Sequence, residues 1–435
     1  MKKCAFITLI FCSIALSAQN IGNMGRLPVV ETPKPPFPYQ YQQNRQPANP
    51  YNPNEASDIQ RRNQAIIDEC IAAEMNAEIQ RQAAIKQLLE KGFPSQLDAK
   101  GFSHFFGAFR EIRDMLEGRR PLNLARTVFL VENAYYGNQL DYQEYNDFIN
   151  HKIQLCELKI AEEKHDIRNN MVKNMMLFRL ISDTLTFKQV GAERTVAHLP
   201  VKYDYDDYQS KQNFDSHFVT KLMRSNVGQC YSMPLYFLIL AEAMEAEAYW
   251  SFSPRHSFVK IQDEKGRWFN LELTNNSILS DAHYMNNSYI KAEAIRNKLY
   301  LEPLNKTNIV AEMLLKLASY FYTKYGLDNF YLLCAETAEK HLDNSLNADM
   351  LKAAYQTRLT LALADLLQAQ NPEALREKSP EAYRHYEKMH ELYKKIDESG
   401  YEELPDELYA RWLEYIARQK EQSNKNRSLI LNEIR

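Results

Sequence analysis

Cys230 sits in the run Asn226-Val227-Gly228-Gln229-Cys230-Tyr231-Ser232-Met233-Pro234-Leu235, with His256 following 26 positions later and Glu272 another 16. Thiol, imidazole and carboxylate are the parts of a cysteine nucleophile, its base and the group that orients the base. Each residue alone has a plainer explanation: a buried helix cysteine, a strand-end polar residue, a surface carboxylate. The local structure that presents them must therefore carry the argument.

Pro234 has no amide proton, so a helix tolerates it only in the first turn, and this starts a helix at about Cys230 to Ser232. The sulfur then lies at the positive end of that helix, where unpaired amides stabilise a thiolate and accept the oxyanion that forms when it attacks a carbonyl. Gly228 permits a tight approach of the chain just before it. The helix itself, Cys230–Glu245, is almost wholly apolar and should be buried on most sides.

Three strands are expected next: Glu247–Phe252, His256–Gln262 and Arg267–Leu273. Asp263-Glu264-Lys265-Gly266 suits a type I turn closed by a left-handed glycine. Residue 263 then opposes 267, so 256 opposes 274 and Glu272 opposes 258. His256 and Glu272 fall on one face as diagonal neighbours within reach of each other. Trp268 and Asn270 share that face, while Val259, Ile261, Phe269, Leu271 and Leu273 take the other and form a core.

The segment from Val201 to about Asn276 resembles a transglutaminase-like domain of the papain-type cysteine fold. The resemblance rests on Gly228-Gln229-Cys230-Tyr231-Ser232-Met233-Pro234-Leu235, on His256-Ser257-Phe258-Val259-Lys260, on Gly266-Arg267-Trp268 and on Asn270-Leu271-Glu272. It implies a central helix on an antiparallel sheet, with Cys230 as nucleophile, His256 as general acid and base, and Glu272 as orienter. Gln229, Asn270 and Trp268 are the supporting or substrate-binding candidates. The family has Asp, or sometimes Asn, where Glu272 stands. Glutamate is a methylene longer, and Asn270 on the same face is a second candidate orienter. No cofactor is implied. No metal-ligand spacing, phosphate-cradling glycine loop or dinucleotide fingerprint is present in the sequence.

The rest of the 435 residues frames this segment. Lys2 and Lys3, the apolar run Ala5–Leu16 and Ser17-Ala18 read as a leader over 1–18, which implies export to a bacterial periplasm or envelope. Residues 19–54 form an extended tether, since eight of the 17 prolines fall between Arg26 and Asn54. Residues 55–189 read as helical, with expected helices from near Asn54 to Lys91, Ser103–Leu116, Pro121–Ala134, Asp141–Lys164 and His165–Thr184. The transglutaminase-like domain takes 190–305. Residues 306–435 read as helical hairpins, loosely tetratricopeptide-like: Ala311–Tyr325, Asn329–Leu342, Ala348–Gln368, Pro380–Glu398 and Pro405–Lys420. Cys70, Cys156 and Cys334 sit inside helical patterns, where a buried inert thiol is the default.

The overall class is thus α+β. With a formal charge of −3 and no basic block, nucleic acid is not expected as a partner. No run beyond the leader reaches spanning length, so no integral membrane segment is expected once it is removed. Two functions follow. One is an enzyme acting on amide or peptide bonds, by hydrolysis or acyl transfer, through a Cys-His-Glu triad and an acyl-thioester. The other is an inactive scaffold whose helical regions bind a protein or peptide partner.

Overall fold

The computed structural model describes residues 53–94, 102–188, 195–415 and 417–418. The expected leader over 1–18 and most of the 19–54 tether lie outside the described residues. So do the last two positions of the expected helix Pro405–Lys420.

In chain order the elements are α1 (Pro53–Lys91), α2 (Phe102–Leu116), α3 (Leu124–Tyr135), α4 (Tyr142–Glu162), α5 (Asn170–Ser182), β1 (Leu185–Lys188) and β2 (Thr195–His198). There follow β3 (Lys202–Tyr203), a 3-10 turn (Phe214–His217), α6 (Val219–Ser225), β4 (Val227–Gly228), α7 (Ser232–Ala243), β5 (Tyr249–Ser253), β6 (His256–Gln262), β7 (Trp268–Glu272) and β8 (Ser277–Leu279). Then come α8 (Asp281–Asn287), α9 (Ala292–Arg296), α10 (Lys306–Tyr325), α11 (Asn329–Glu339), α12 (Leu346–Leu366), α13 (Pro372–Lys378), α14 (Pro380–Glu398) and a last helix, α15 (406–415). The fold is α+β, mostly helical with small sheets.

The chain forms two compact units. The smaller takes the described residues 53–94 together with 356–388, and the larger takes the remaining described residues. In the smaller unit, Gln356 donates to the carbonyl of His385 at 3.0 Å, and Leu359, Leu363, Leu375 and Ala382 are buried. Most of α1 stands in solvent, including the expected stripe Ile66, Ile67 and Ile71. Cys70 shares that exposure, so the buried thiol expected there is corrected. The stripe is sparse within a polar, charged run, and burial begins only in the last turns at Ile85 and Leu88. Cys156 and Cys334 are buried as expected, and burial pushes both thiols up, Cys156 to about 12.

The larger unit is organised around α7. Every side chain from Ser232 to Ala241 is buried, because α3, α4, α5 and α6 pack around it together with β5 and β6. The helices around it start where short polar residues can take their opening amides. Asn123, Asp141 and Asn169 cap α3, α4 and α5, and Asn305 forms a capping box with Asn308 on α10. Two glutamates distant in sequence do the same work. Glu242 on α7 accepts from the amides of Leu124 and Ala125 and pairs with Lys306, while Glu132 on α3 accepts from Val219 and Thr220 at 2.7 and 2.8 Å. Both place carboxyl oxygens where the opening amides of a helix need acceptors.

The main sheet is antiparallel in the order β5-β6-β7-β8. Its central register, Val259 opposite Leu271 and Lys260 opposite Asn270, is the one the turn arithmetic requires. Gly266 holds φ +77 in that turn, and Asp263 exchanges backbone bonds with Gly266 and Arg267. Val259, Ile261, Leu271 and Leu273 are buried on the α7 side. The opposite face is also covered, by a second core of Phe258, Tyr284, Ala294, Tyr300 and Leu301. The sequence reading placed a core on one face only; the chain after β8 folds back over the other. β8 was not expected either, and β1 falls in sequence that reads as helical.

Burial raises the Glu132 carboxyl to about 7, against the pull of the Thr220 and Val219 bonds and of Arg224. Its folded value lies above its unfolded one, so its contribution to stability is full below the ordinary carboxylate value and is lost as pH rises through about 7. Urea denaturation from pH 4.5 upward should therefore show stability falling by up to about 3 kcal/mol across that window. Glu132→Gln should flatten this slope, and an identical slope in the variant would sink the assignment.

Candidate active site

Cys230 lies two residues before α7, in the turn that leads into it, and Pro234 occupies the first helical turn. The amide of Met233 bonds the carbonyl of Gln229 at 3.0 Å, which closes the turn across Cys230. Gly228 is required just before it. A β-carbon there would stand 2.5 Å from Leu222 Cδ1 and 2.8 Å from Met233 Cγ, so β4 threads between α6 and α7 only without a side chain. Ser257 Oγ donates to the Cys230 carbonyl at 2.6 Å, tying the start of β6 to this turn. Cys230 and His256 consequently line one cavity of about 230 Å³, along with Trp250, Tyr300, Glu312 and Lys316.

His256 heads β6 and Glu272 ends β7, on the same face of the ribbon. His256 Nε2 donates to Glu272 Oε2 at 2.6 Å, and their side chains are 2% and 1% exposed. Glu272 is saturated. Oε2 also accepts from Tyr284 Oη at 2.8 Å, and Oε1 accepts from the Thr274 amide at 3.0 Å and its hydroxyl at 2.6 Å. The extra methylene is thereby pinned from three directions. Burial alone would raise this carboxyl, but the charge and hydrogen bond of His256 and the Thr274 bonds outweigh it and hold the value below the ordinary one.

The bond to ionised Glu272 puts a proton on Nε2 and leaves Nδ1 as the ring nitrogen that the carboxylate does not engage. Nδ1 is buried and has no hydrogen-bond partner among the described residues. An unpaired buried ring nitrogen is costly, and such atoms call for an explanation. Here the nitrogen belongs to a histidine that shares its cavity with a thiol.

The other candidates are placed differently. Gln229 is fully buried below the site. Its side chain accepts from Ser210 Oγ at 2.9 Å and donates to the Asp207 carbonyl, which fixes the acidic loop Asp204–Asp207 to the strand entering Cys230. His217 closes the same network through Ser210 and Tyr320, and burial with nearby Lys316 keeps its value well below normal. Asn270 donates to Asp281 at 2.8 Å rather than to His256, so Glu272 alone holds the imidazole. Trp268 is 39% exposed at the far end of the ribbon, edge-on to Tyr249 and away from the cavity lining. Sequence reasoning missed Thr274, Tyr284, Arg255, Tyr409 and Trp412. Thr274 was legible as the next residue on the Glu272 face; the aromatics lie in distant helical sequence with no local mark.

Among the described residues, no group of three or more His, Cys, Asp or Glu is placed to hold a metal. No helix among them is long and apolar enough to cross a membrane. Comparison with known proteins finds no matching family model, curated protein or solved structure.

Removing the carboxylate would take a hydrogen-bond acceptor from His256 Nε2, Thr274 and Tyr284 together. Glu272→Ala should cost about 3–5 kcal/mol in urea denaturation near neutral pH. A folded value lowered by its partners means the parent keeps this contribution above the ordinary carboxylate range and loses it as pH falls through the native value. E272A should lack that acid-side loss, and a variant as stable as the parent would show that the pair holds nothing together.

Proposed function

We propose that this chain is an exported cysteine enzyme of the transglutaminase-like kind, acting on amide or peptide bonds. The observation that carries the reading is the buried His256, which lines the same cavity as Cys230, with one ring nitrogen held by a saturated glutamate and the other without a hydrogen-bond partner among the described residues. The resemblance of the Cys230, His256 and Glu272 segments to that superfamily adds the nucleophile, acid/base and orienter roles. The transglutaminase-like core and the loosely tetratricopeptide-like hairpins after it belong to this proposal, as does export, which rests on the leader-like residues 1–18.

In the proposed reaction the Cys230 proton passes to His256 Nδ1, and the thiolate attacks the amide carbonyl carbon to form a C–S bond. The negative charge that develops on the oxygen faces the amides opening α7. His256 returns its proton to the leaving nitrogen as the C–N bond breaks, leaving an acyl-thioester and a free amine. Water or a second amine then gives a proton to His256 while attacking the thioester, and departure of the sulfur completes hydrolysis or transfer. Glu272 stays ionised throughout and holds the ring in its tautomer. No cofactor enters the cycle.

A second reading, a scaffold that binds protein or peptide without catalysis, draws on the near-complete burial of the pair, Cys230 itself being 1% exposed.

The shape of a pH profile separates the two. Iodoacetamide modification of Cys230, followed by mass spectrometry of its own peptide, excludes signal from exposed Cys70. A nucleophile paired with His256 should keep its rate nearly constant down to about pH 6, whereas His256→Ala should follow an ordinary thiol titration near about 8.5. If parent and variant trace the same ordinary curve, the catalytic reading is wrong.

A further inference from the structure

The strongest feature outside the triad is what lies on top of it. Tyr409 Oη stands 3.8 Å from Cys230 Sγ, and the Trp412 ring meets His256 edge-on with centroids 4.4 Å apart. Tyr409 and Trp412 stack on each other at 5.8 Å, and both are buried. Neither lines the cavity, so they meet the pair where the cavity does not. An acyl carbon must come within about 3–3.5 Å of the sulfur in line with attack. The Tyr409 hydroxyl and the Trp412 ring take up space that the bond to be cleaved would need.

The segment carrying them is fastened at both ends of its approach. Gly400, at φ +86, turns the chain out of α14. A β-carbon there would lie 2.5 Å from the Ala294 amide nitrogen, so only glycine fits against α9. Lys291 pairs with Glu402 at 3.3 Å. Arg255, directly before His256, bonds the Leu404 carbonyl at 3.2 Å and Asp406 at 2.6 Å, and its guanidinium lies 4.5 Å from the Tyr409 ring. The residue preceding the imidazole thus grips the strap that covers it. The fastening is nevertheless slight: of 406–415, only Tyr409, Trp412 and Leu413 are buried, Asp406 is 56% exposed, and Trp412 Nε1 has no hydrogen-bond partner among the described residues.

We propose that residues 400–415 are an autoinhibitory cover, which holds Cys230 and His256 closed and must lift before an amide substrate can reach the sulfur. The proposal rests on the reading of these two residues as nucleophile and base. The cover is part of the same chain and the same compact unit, so lifting it is a local opening of a weakly held helix and needs no unfolding of the core.

The test uses the full-length protein and the same peptide-resolved alkylation of Cys230. Tyr409→Ala with Trp412→Ala removes the two contacts. Asp406→Lys repels Arg255 from an exposed position and leaves the buried residues intact, so folding of that variant is secure. Both should modify Cys230 at least about tenfold faster than the parent at every pH, with near-parent circular dichroism. Unchanged rates in folded Asp406→Lys and in the double variant would overturn the cover. Failure of the catalytic reading looks different: an ordinary thiol pH profile, insensitive to His256→Ala, whatever the rate. A fast but ordinary profile keeps the cover and rejects catalysis; a slow profile that stays flat to low pH in every variant does the reverse.

Discussion

A carboxylate with no solvent contact must be supplied with hydrogen bonds by its own protein, and the arrangement around Glu272 follows from that demand. Four bonds from three residues meet it: the imidazole from β6, the hydroxyl and amide of Thr274 just beyond β7, and the phenol of Tyr284 from α8. Any one of them missing would leave a buried charge under-solvated, a cost of several kcal/mol. This ties the strand pair to the helix behind it. It also sets which ring nitrogen carries the proton toward the carboxylate. A longer side chain than aspartate is usable here because its reach ends in a socket rather than in open space.

The mounting of the thiol follows a second rule, that helix ends need partners. Cys230 precedes a helix buried on every side, and a buried helix can be positioned only by the elements around it. Glu242 on that helix binds the first amides of α3, and Glu132 on α3 binds the first amides of α6, which leads through β4 to Cys230. The acidic loop is fixed from below by Gln229. Three helix ends and one loop are thus referenced to each other by side chains more than 80 residues apart, Gln229 to Asp207 excepted.

What was legible in the sequence was what local chemistry determines. Pro234 marks a first helical turn wherever the helix goes, and Asp263 to Gly266 fixes which strand residues oppose each other. The face shared by His256 and Glu272 followed from those two facts alone. Caps such as Asn123, Asp141 and Asn169 put helix starts within a few residues of their expected places. What escaped was what only folding brings together. Tyr284 reaches Glu272 because the chain after β8 turns back over the sheet, and Tyr409 reaches Cys230 across 179 positions. An aromatic in a helical pattern reads as core, and these are core; the pattern cannot say whose. The exposed stripe of α1 is the converse case, apolar spacing without a partner among the described residues.

Burying a thiol beneath the Tyr409 hydroxyl also changes its exposure to oxidants. Peroxide must touch sulfur to convert it to sulfenic and then sulfinic acid, and the reaction falls on accessible, thiolate-rich sites. Cys230, at 1% exposure, is out of reach while α15 is seated, whereas Cys70 stands open on α1. Oxidative loss would therefore fall only on molecules whose helix has lifted, and a population kept shut would keep its sulfur intact.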